Sequence, residues 1–545
     1  MAKTLSVQRP GPLGASSDGS VSPRRDGSPT ARPRRAARAL GVTASPGGGQ
    51  SLRGRRLGSV SPMTDPRRAP LPPARLAAGF AVVAALAAGP AAQDAPRPTL
   101  NVLLLTVDDM DARTPGVFGG LVPGVTPNID RLAAEGMRFE HGHVAAAICQ
   151  PCRQALMTGR FPHAVSPKGG FDAVRADVPT LQEQLHAAGY FQGILGKEKH
   201  LAPARRFCWD AVRGEAEVGR DPARFYEFAK EFFAAAKTNG KPFFLMANSH
   251  DPHRPFPGCD ADAKPLERDA RGRPIGRPSR FFRPDDVVVP GFLPDLPDVR
   301  RELARYYTSA HRADDTVGMV LRALHEAGLD DSTLVMFLTD NGMAFPFAKT
   351  NTYLASTAAA WIVRWPGRVK VGSVDRTHLI SGVDFAPTIL EATGVPAPPG
   401  MHGRSFLPLL EDGEQAGRDV AFTEINCIAS GVAYPMRCAR ETKLAYMWNG
   451  WADGSKVFKN ESQAGLTFKA MQAAAENDEA LAARVHLFQY RVQEELFDCE
   501  VDPSCLHNLI ADPAHAADVA RLRQALLRHM QATADPQTDA FRRVF

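Results

Sequence analysis

Three short polar segments of this chain stand where a reaction centre would need them. Asp108-Asp109 closes one apolar run and Asp340-Asn341 closes another. Between them in sequence lies Cys149-Gln-Pro-Cys152-Arg153. Three carboxylates and an amide are a hard, oxygen-rich donor set of the kind that holds Ca²⁺ or Mg²⁺. Each of these residues, taken singly, is a helix cap or a surface turn. Both pairs together, with the cysteine segment between them, point to one dication site. Cys149 and Cys152 also have the spacing of a redox dithiol or of half a zinc site. No second Cys-x-x-Cys exists to complete a zinc site. A thioredoxin-like pair would open a helix in a much smaller domain.

Basic and imidazole groups follow apolar runs in the same way. Lys197, Lys199 and His200 come after Phe191–Leu195, His250 and His253 after 242–247, and Lys349 after Asp340-Asn341. Arg153 is four residues from Cys149, on the same side of a helix. Cations and a metal so gathered lower the barrier to a reaction that holds negative charge on substrate oxygens. Their shared position after strands separates them from ordinary solvated charges.

The elements that must position these groups alternate. Thr99 to Val107 is a near-continuous apolar run, as expected of a central strand covered on both faces. Pro127 sits in the first turn of a helix through Leu132 and Ala133. A helix is expected over Arg153–Thr158 and another over Thr180–Ala188, then a strand at Phe191–Leu195. A helix over Pro222–Ala236 leads to a strand at Pro242–Ala247. Residues 257–299, rich in Pro, Arg and Asp, read as a long surface insertion. The helix Glu302–Ala327 precedes a buried strand, Thr333–Leu338. Strands at Ala359–Val363 and Thr377–Ile380 and a helix at Asp384–Ala392 complete the set. This order predicts an α/β fold with a doubly wound, mostly parallel sheet flanked by helices. Ligands of such sheets bind at the C-terminal ends of the strands, where the polar segments fall.

After about residue 415 the pattern changes to short strands, Ala421–Glu424, Met436–Ala439 and Leu444–Met447, then a final helix, Ala517–Ala532. A catalytic domain over 93–415 and a smaller α+β subdomain over 416–545 follow. All eight cysteines lie beyond residue 93. Cys499 and Cys505 are close enough in sequence for a local disulfide, which an exported protein could form.

The N-terminal region is of another kind. Residues 1–62 carry ten Arg and one Lys against two Asp, a net +9, with little apolar patterning. Such a stretch buries too little surface to offset its ordering entropy, so a disordered basic leader is expected. Residues 63–92 read as a signal peptide, with Arg67, Arg68 and Arg75 before an apolar segment and Gly89-Pro90-Ala91-Ala92 at its end. Met63 stands at the right distance to be the true start, which would leave 1–62 untranslated; a genuine basic extension is the alternative. The apolar segment is too short for a comfortable membrane span. The whole chain is +6. With the leader (+9) and signal (+2) removed, about −5 remains, so the folded part has no electrostatic case for nucleic acid. Export to the periplasm or medium is expected.

Residues 149–160, Cys-Gln-Pro-Cys-Arg-Gln-Ala-Leu-Met-Thr-Gly-Arg, resemble the signature of sulfatases. The resemblance runs over roughly 98–530 and includes Leu496-Phe497-Asp498, Asp502-Pro503 and Asn508-Leu509. Within the family it is strongest to the sulfamidase branch, which acts on N-sulfoglucosamine. Residues 242–254, 340–351 and Tyr434-Pro-Met-Arg437 carry that finer likeness. The resemblance implies that Cys149 is oxidised to formylglycine by a maturase, and that the aldehyde hydrate attacks sulfur. Implied metal ligands are Asp108, Asp109, Asp340, Asn341 and position 149, with Ca²⁺ as the ion. Arg153 would hold the charge of the hydrate and metal site, and Lys197 and Lys349 would bind sulfonyl oxygens. His250 would protonate the leaving group, and His200 would assist sulfate release.

This chain departs from the family pattern at three places. Position 152 is Cys where Ser is commonest. Gly196-Lys-Glu-Lys-His200 has one residue more than Gly-Lys-x-His, so Lys197 or Lys199 fills the lysine role, Lys197 being favoured because it follows Gly196. Lys349 replaces an Arg of the sulfamidase-like pattern, keeping charge but losing bidentate geometry. The expected function is an exported, calcium-dependent sulfatase that hydrolyses sulfamate or sulfate ester groups of sulfated sugars through a formylglycine nucleophile, with N-sulfoglucosamine favoured. Alternatives are an O-sulfatase on another polysaccharide, a phosphoesterase of the related alkaline phosphatase-like superfamily, and a non-catalytic glycan-binding protein.

Overall fold

The computed structural model describes residues 100–257, 268, 272 and 275–545. The expected leader, signal peptide and Met63 start lie outside the described residues. The strands in chain order are β1 (Asn101–Asp108), β2 (Met137–Phe139), β3 (Gly142–His143), β4 (Phe191–Leu195) and β5 (Ala211–Arg213). Next come β6 (Phe243–Pro252), β7 (Thr333–Thr339), β8 (Trp361–Arg364), β9 (Ser373–Asp375) and β10 (Ile380–Ser381). The last four are β11 (Ala421–Cys427), β12 (Ala433–Arg440), β13 (Leu444–Asn449) and β14 (Glu494–Asp498).

Eight of these form one sheet in the order β5-β4-β6-β1-β7-β8-β2-β9. β1 lies between β6 and β7, parallel to both, with Leu104 opposite Met246 and Met336. Every residue of β1 is buried, so both faces of the strand are covered. That explains why its sequence is an apolar run rather than an alternation. The helix Pro297–Glu326 packs on β6, and the helix Pro222–Asn239 packs on that helix and on β4. Fully burying a Leu or Val in such a strand contributes about 1.5–3 kcal/mol. β8 runs antiparallel to both β7 and β2, so the sheet is mostly rather than wholly parallel.

Tertiary structure moves several expected boundaries, and the helix expected over Glu302–Ala327 begins at Pro297. The helix after the cysteine segment begins at Cys149 itself, because Pro151 falls in the first turn, where no backbone N–H is required. β6 continues to Pro252, since Asn248, Ser249 and His250 are buried at the site rather than released into a loop. The expected strand Thr377–Ile380 is reduced to β10, a two-residue pairing with β3. The long insertion is not all surface: Phe282, Val287, Phe292 and Leu293 are buried in its second half.

The C-terminal sheet is antiparallel in the order β11-β12-β13-β14. Leu522, Leu526 and Met530 of the helix Ala516–Ala532 form a core with Ala439, Tyr446 and Leu496. Two helices between β13 and β14, Leu466–Ala474 and Glu479–Tyr490, have no clear signal in the sequence. The first is tied to the large sheet's helix layer, where Glu302 accepts from the Leu466 and Thr467 N–H groups and pairs with Arg254. The seven described cysteines are all free. Cys499 and Cys505, close enough in sequence for a local disulfide, are among these free thiols. Among the described residues no helix is long and apolar enough to cross a membrane.

Gly342 shows how tightly the loop after β7 is packed. A Cβ there would lie 1.8 Å from the carbonyl oxygen of Ala355. That atom belongs to backbone and cannot rotate away. Gly342→Ala should therefore destabilise the protein by roughly 1–3 kcal/mol, the usual cost of overpacking. Urea unfolding measures this, and an unchanged midpoint would show that the loop yields.

Candidate functional site

The C-terminal ends of β1, β4, β6 and β7 converge on one buried cluster. Asp108 is the last residue of β1, where the pairing with β6 shifts register. Asp109 then turns left-handed, φ 65°, an uncommon backbone for a residue with a side chain. Its N–H donates to Asp340 Oδ1 at 3.1 Å. Its carboxylate accepts from Asn341 Nδ2 at 2.7 Å and Lys349 Nζ at 2.8 Å. Oxygens of Asp108, Asp109 and Asp340 lie within 4.8 Å of one another, and all three residues are buried.

Three cations face this charge. Arg153 Nη2 donates to Asp340 Oδ2 at 2.7 Å. Lys197 Nζ pairs with Asp108, and Lys349 with Asp109. Burial opposes the charge of Asp108, yet Lys197, with His253 and Arg153, holds it well below the usual carboxylate range. Asp340 goes the other way: burial first, then Asp108, raises it well above that range. Asp108 Oδ1 and Asn341 Oδ1 are buried without a hydrogen-bond partner. Orphaned buried oxygens beside two further carboxylates fit a hard dication, which would satisfy them and relieve the repulsion.

Cys149 opens the helix Cys149–Thr158, after Ile148 at the N-cap. The Cys-x-x-Cys pair thus does sit at a helix start, but both thiols are free and Cys152 is buried. Burial, reinforced by Asp108, Asp340 and Asp109 against Lys349, pushes the Cys149 thiol up to about 12. Arg153, one turn on, is fully buried. Its Nη1 donates to Thr106 Oγ1 at 2.7 Å and Asn248 Oδ1 at 2.6 Å.

The extra residue in Gly196-Lys-Glu-Lys-His200 is taken up by a 3₁₀ turn, Glu198–His200. Gly196 (φ 71°) and Lys197 (φ 59°) are both left-handed. This sends Lys197 inward, its side chain 7% exposed, and Lys199 outward at 73%. Asn248 Nδ2 fixes the turn by donating to the Gly196 carbonyl at 3.0 Å. His200 is held well below its usual range by burial and Lys197, and its Nδ1 has no partner. His250 Nε2 is likewise unpartnered, while its Nδ1 lies 3.6 Å from Glu215 Oε1. Burial, then Lys197 and Arg220, lowers His250 to about 3.

Every residue expected at the site is in this region of the sheet edge. Lys199 is the one alternative that points away. Four residues of the neighbourhood were not expected. Thr106 and Asn248 had a signal, as polar residues within otherwise apolar runs. Glu461 and Glu215 had none. Glu461 comes from the C-terminal part of the chain and accepts from Lys349 Nζ at 2.5 Å. His253 Nε2 lies 3.8 Å from both Glu461 Oε2 and Asp109 Oδ2.

The Sulfatase family model matches residues 100–395. Human N-sulphoglucosamine sulphohydrolase is 30% identical over 475 residues, covering 80% of this chain and 91% of that protein. An ulvan-active sulfatase of Formosa agariphila is 24% identical, covering 80% of this chain and 75% of its own length. A structure solved with its substrate D-glucosamine-2-N,6-O-disulfate shares the fold at TM-score 0.59 and 20% identity, covering 81% of this chain and 99% of that one. The chain belongs to the sulfatase family and is a sulfuric ester or sulfamate hydrolase.

The orphaned oxygens generate a binding prediction that does not depend on turnover. Added Ca²⁺ or Mg²⁺ should stabilise the protein by about 2.7 kcal/mol at a hundredfold excess over Kd, read as a higher thermal unfolding midpoint. Asp108→Asn and Asp340→Asn should each weaken or abolish that shift. A wild-type midpoint indifferent to both ions would remove the dication from this site.

Proposed function

We propose that this sulfatase is an exported, calcium-dependent enzyme that removes sulfo groups from sulfated sugars, with N-sulfoglucosamine as the favoured substrate. The observation that carries the proposal is the meeting of Cys149, at a helix start, with three carboxylates, Asn341 and two buried lysines. The family relative that acts on N-sulphoglucosamine, by its name, supports the choice of sugar. The apolar segment at 76–88 and the small residues after it support export. A catalytic domain over 93–415 and a subdomain over 416–545 describe the division of labour.

Asp108, Asp109, Asp340 and Asn341 would hold the ion, whose oxygen-only donor set suits Ca²⁺. Bound there, it would supply positive charge against sulfonyl oxygens and the nucleophile. A maturase would convert Cys149 to formylglycine, whose hydrate supplies an oxygen nucleophile with a second hydroxyl. Arg153, locked by Thr106, Asn248 and Asp340, keeps position 149 next to a fixed positive charge. Lys197 and Lys349 bind sulfonyl oxygens as point charges, exchanging part of their contact with Asp108 and Asp109 for substrate. His250 offers Nε2 to the leaving nitrogen or oxygen. In the free site it is neutral, because burial and Lys197 oppose its charge. An arriving sulfo anion offsets the field of Lys197, so proton uptake accompanies substrate binding. His200 stands on the same turn as Lys197 and assists sulfate release.

Two measurements test this reading. Peptide mass spectrometry of protein made with a maturase should find formylglycine at position 149, and active protein with an unaltered Cys149 would exclude that nucleophile. Wild type should release sulfate from glucosamine N-sulfate and leave the matching phosphates intact. His250→Ala should lose on the order of 10²–10⁴ in rate on the sulfamate. The loss should be smaller on an aryl sulfate, whose phenolate leaves without a proton. Cleavage restricted to O-sulfated sugars would replace the sulfamidase reading with the O-sulfatase one.

A further inference from the structure

Away from the carboxylate site, the C-terminal sheet holds a buried cation surrounded by thiols. Arg440, the last residue of β12, is buried. Its Nη2 donates to the Thr352 carbonyl at 3.1 Å and its Nη1 to Cys499 Sγ at 3.0 Å. Cys438 and Cys505 are its further sulfur neighbours, and of the three thiols Cys499 alone is lowered. A buried guanidinium needs a counter-charge or full hydrogen bonding. Cys499, directly after β14, is the sulfur placed to provide it.

Cys505 completes the arrangement. The chain between the two cysteines turns tightly, with Asp502 N donating to the Asp498 carbonyl and Cys505 N to the Asp502 carbonyl. Cys505 takes a left-handed backbone, φ 52°. Its thiol is the neighbour that most perturbs the Cys499 thiol, and Cys499 in turn most perturbs it. Both are free thiols, neighbours within this turn. Cys499 also forms part of the wall of a cavity of about 880 Å³, with Arg113, His143, Arg376, Lys443 and Arg440. Cys505 is not in that wall. A solute entering the cavity meets Cys499 first.

We propose that Cys499 and Cys505 are an attacking and a resolving thiol, oxidised reversibly by small disulfides that enter this cavity. The Cys499 thiolate attacks one sulfur of the disulfide, which expels the other as a thiolate and leaves a mixed disulfide on Cys499. Cys505 loses its proton and attacks Cys499 Sγ. The Cys499–Cys505 bond forms and the second small thiol departs. The protein loses two electrons and two protons, and one small disulfide becomes two thiols. The neighbouring Cys505 thiol, and after it Arg440, lowers Cys499 to about 6. Cys499 in turn raises Cys505 well above the thiol range. Thiolate character and access govern such exchange, which fits the order of attack.

The test uses folded protein at pH 7 with oxidised glutathione as the probe and peptide mapping without reductant. Wild type should gain a Cys499–Cys505 disulfide that dithiothreitol reverses. Cys505→Ser, with an unchanged unfolding midpoint, should stop at one glutathione on Cys499. Cys499→Ser should leave Cys505 unmodified. Arg440→Gln should slow Cys499 modification on the order of tenfold, by returning the thiol to its proton. Partly exposed Cys208 is the internal control for probe activity. Modification of Cys208 with Cys499 untouched in wild type would overturn the proposal. So would a glutathione on Cys505 in Cys499→Ser, or a wild-type disulfide that joins Cys438 instead.

Discussion

Three carboxylates crowded into the buried end of a parallel sheet are the constraint that the rest of the site answers. Asp108, Asp109 and Asp340 could not stay charged there unaided, since desolvation and mutual repulsion both oppose it. Arg153, Lys197 and Lys349 reach them from three different segments. Each cation is itself buried and would be costly without its carboxylate. The pairing is thus mutual, and the unpartnered oxygens of Asp108 and Asn341 mark what side chains alone leave unsatisfied. Asp340 and Asp108 are displaced in opposite directions from the same ordinary value, as expected of like charges that share too few cations.

The backbone bends to serve this cluster. Asp109, Lys197, Phe347 and Thr350 are all left-handed, and all lie in segments that leave the sheet at the site. Such conformations in residues with side chains cost of order 1–3 kcal/mol and persist when surrounding contacts fix them. Those contacts are visible: the Asp340 carboxylate on Asp109 N–H, and Asn248 on the Gly196 carbonyl. The Lys349 carbonyl is held by Asn351 and Asn460.

The C-terminal sheet is bound into the same arrangement. Glu461 pairs with Lys349, and Glu302 collects the N–H groups at the start of the helix Leu466–Ala474. A second buried polar join links His163 to Glu424, and Arg437 to Asp535. Glu424 is lowered to about 2, with His163 and Arg437 overcoming its burial. Removing one member of such a set would leave its partner buried and charged, which is far costlier than losing a surface pair.

The sequence by itself determined the alternation of element types, the apolar centre and which polar residues to expect at the sheet edge. It could do so because β1, β6 and β7 are covered on both faces and announce themselves as apolar runs, and because their polar ends contrast with those runs. The resemblance carried by residues 149–160 added the family, which the comparisons show. Tertiary structure alone decided the rest. Lys197 and Lys199 are equal in composition and nearly so in spacing; only the left-handed turn at 196–197 sends one inward. Glu461 and Glu215 carry no periodic or motif signal, because their roles come from contacts across long sequence distances. The start of the helix at Cys149 and the length of β6 were set by what packs around them. The thiol pair was legible as two nearby cysteines, but its guanidinium and its cavity arise only where β12 and β14 meet the loop at 352.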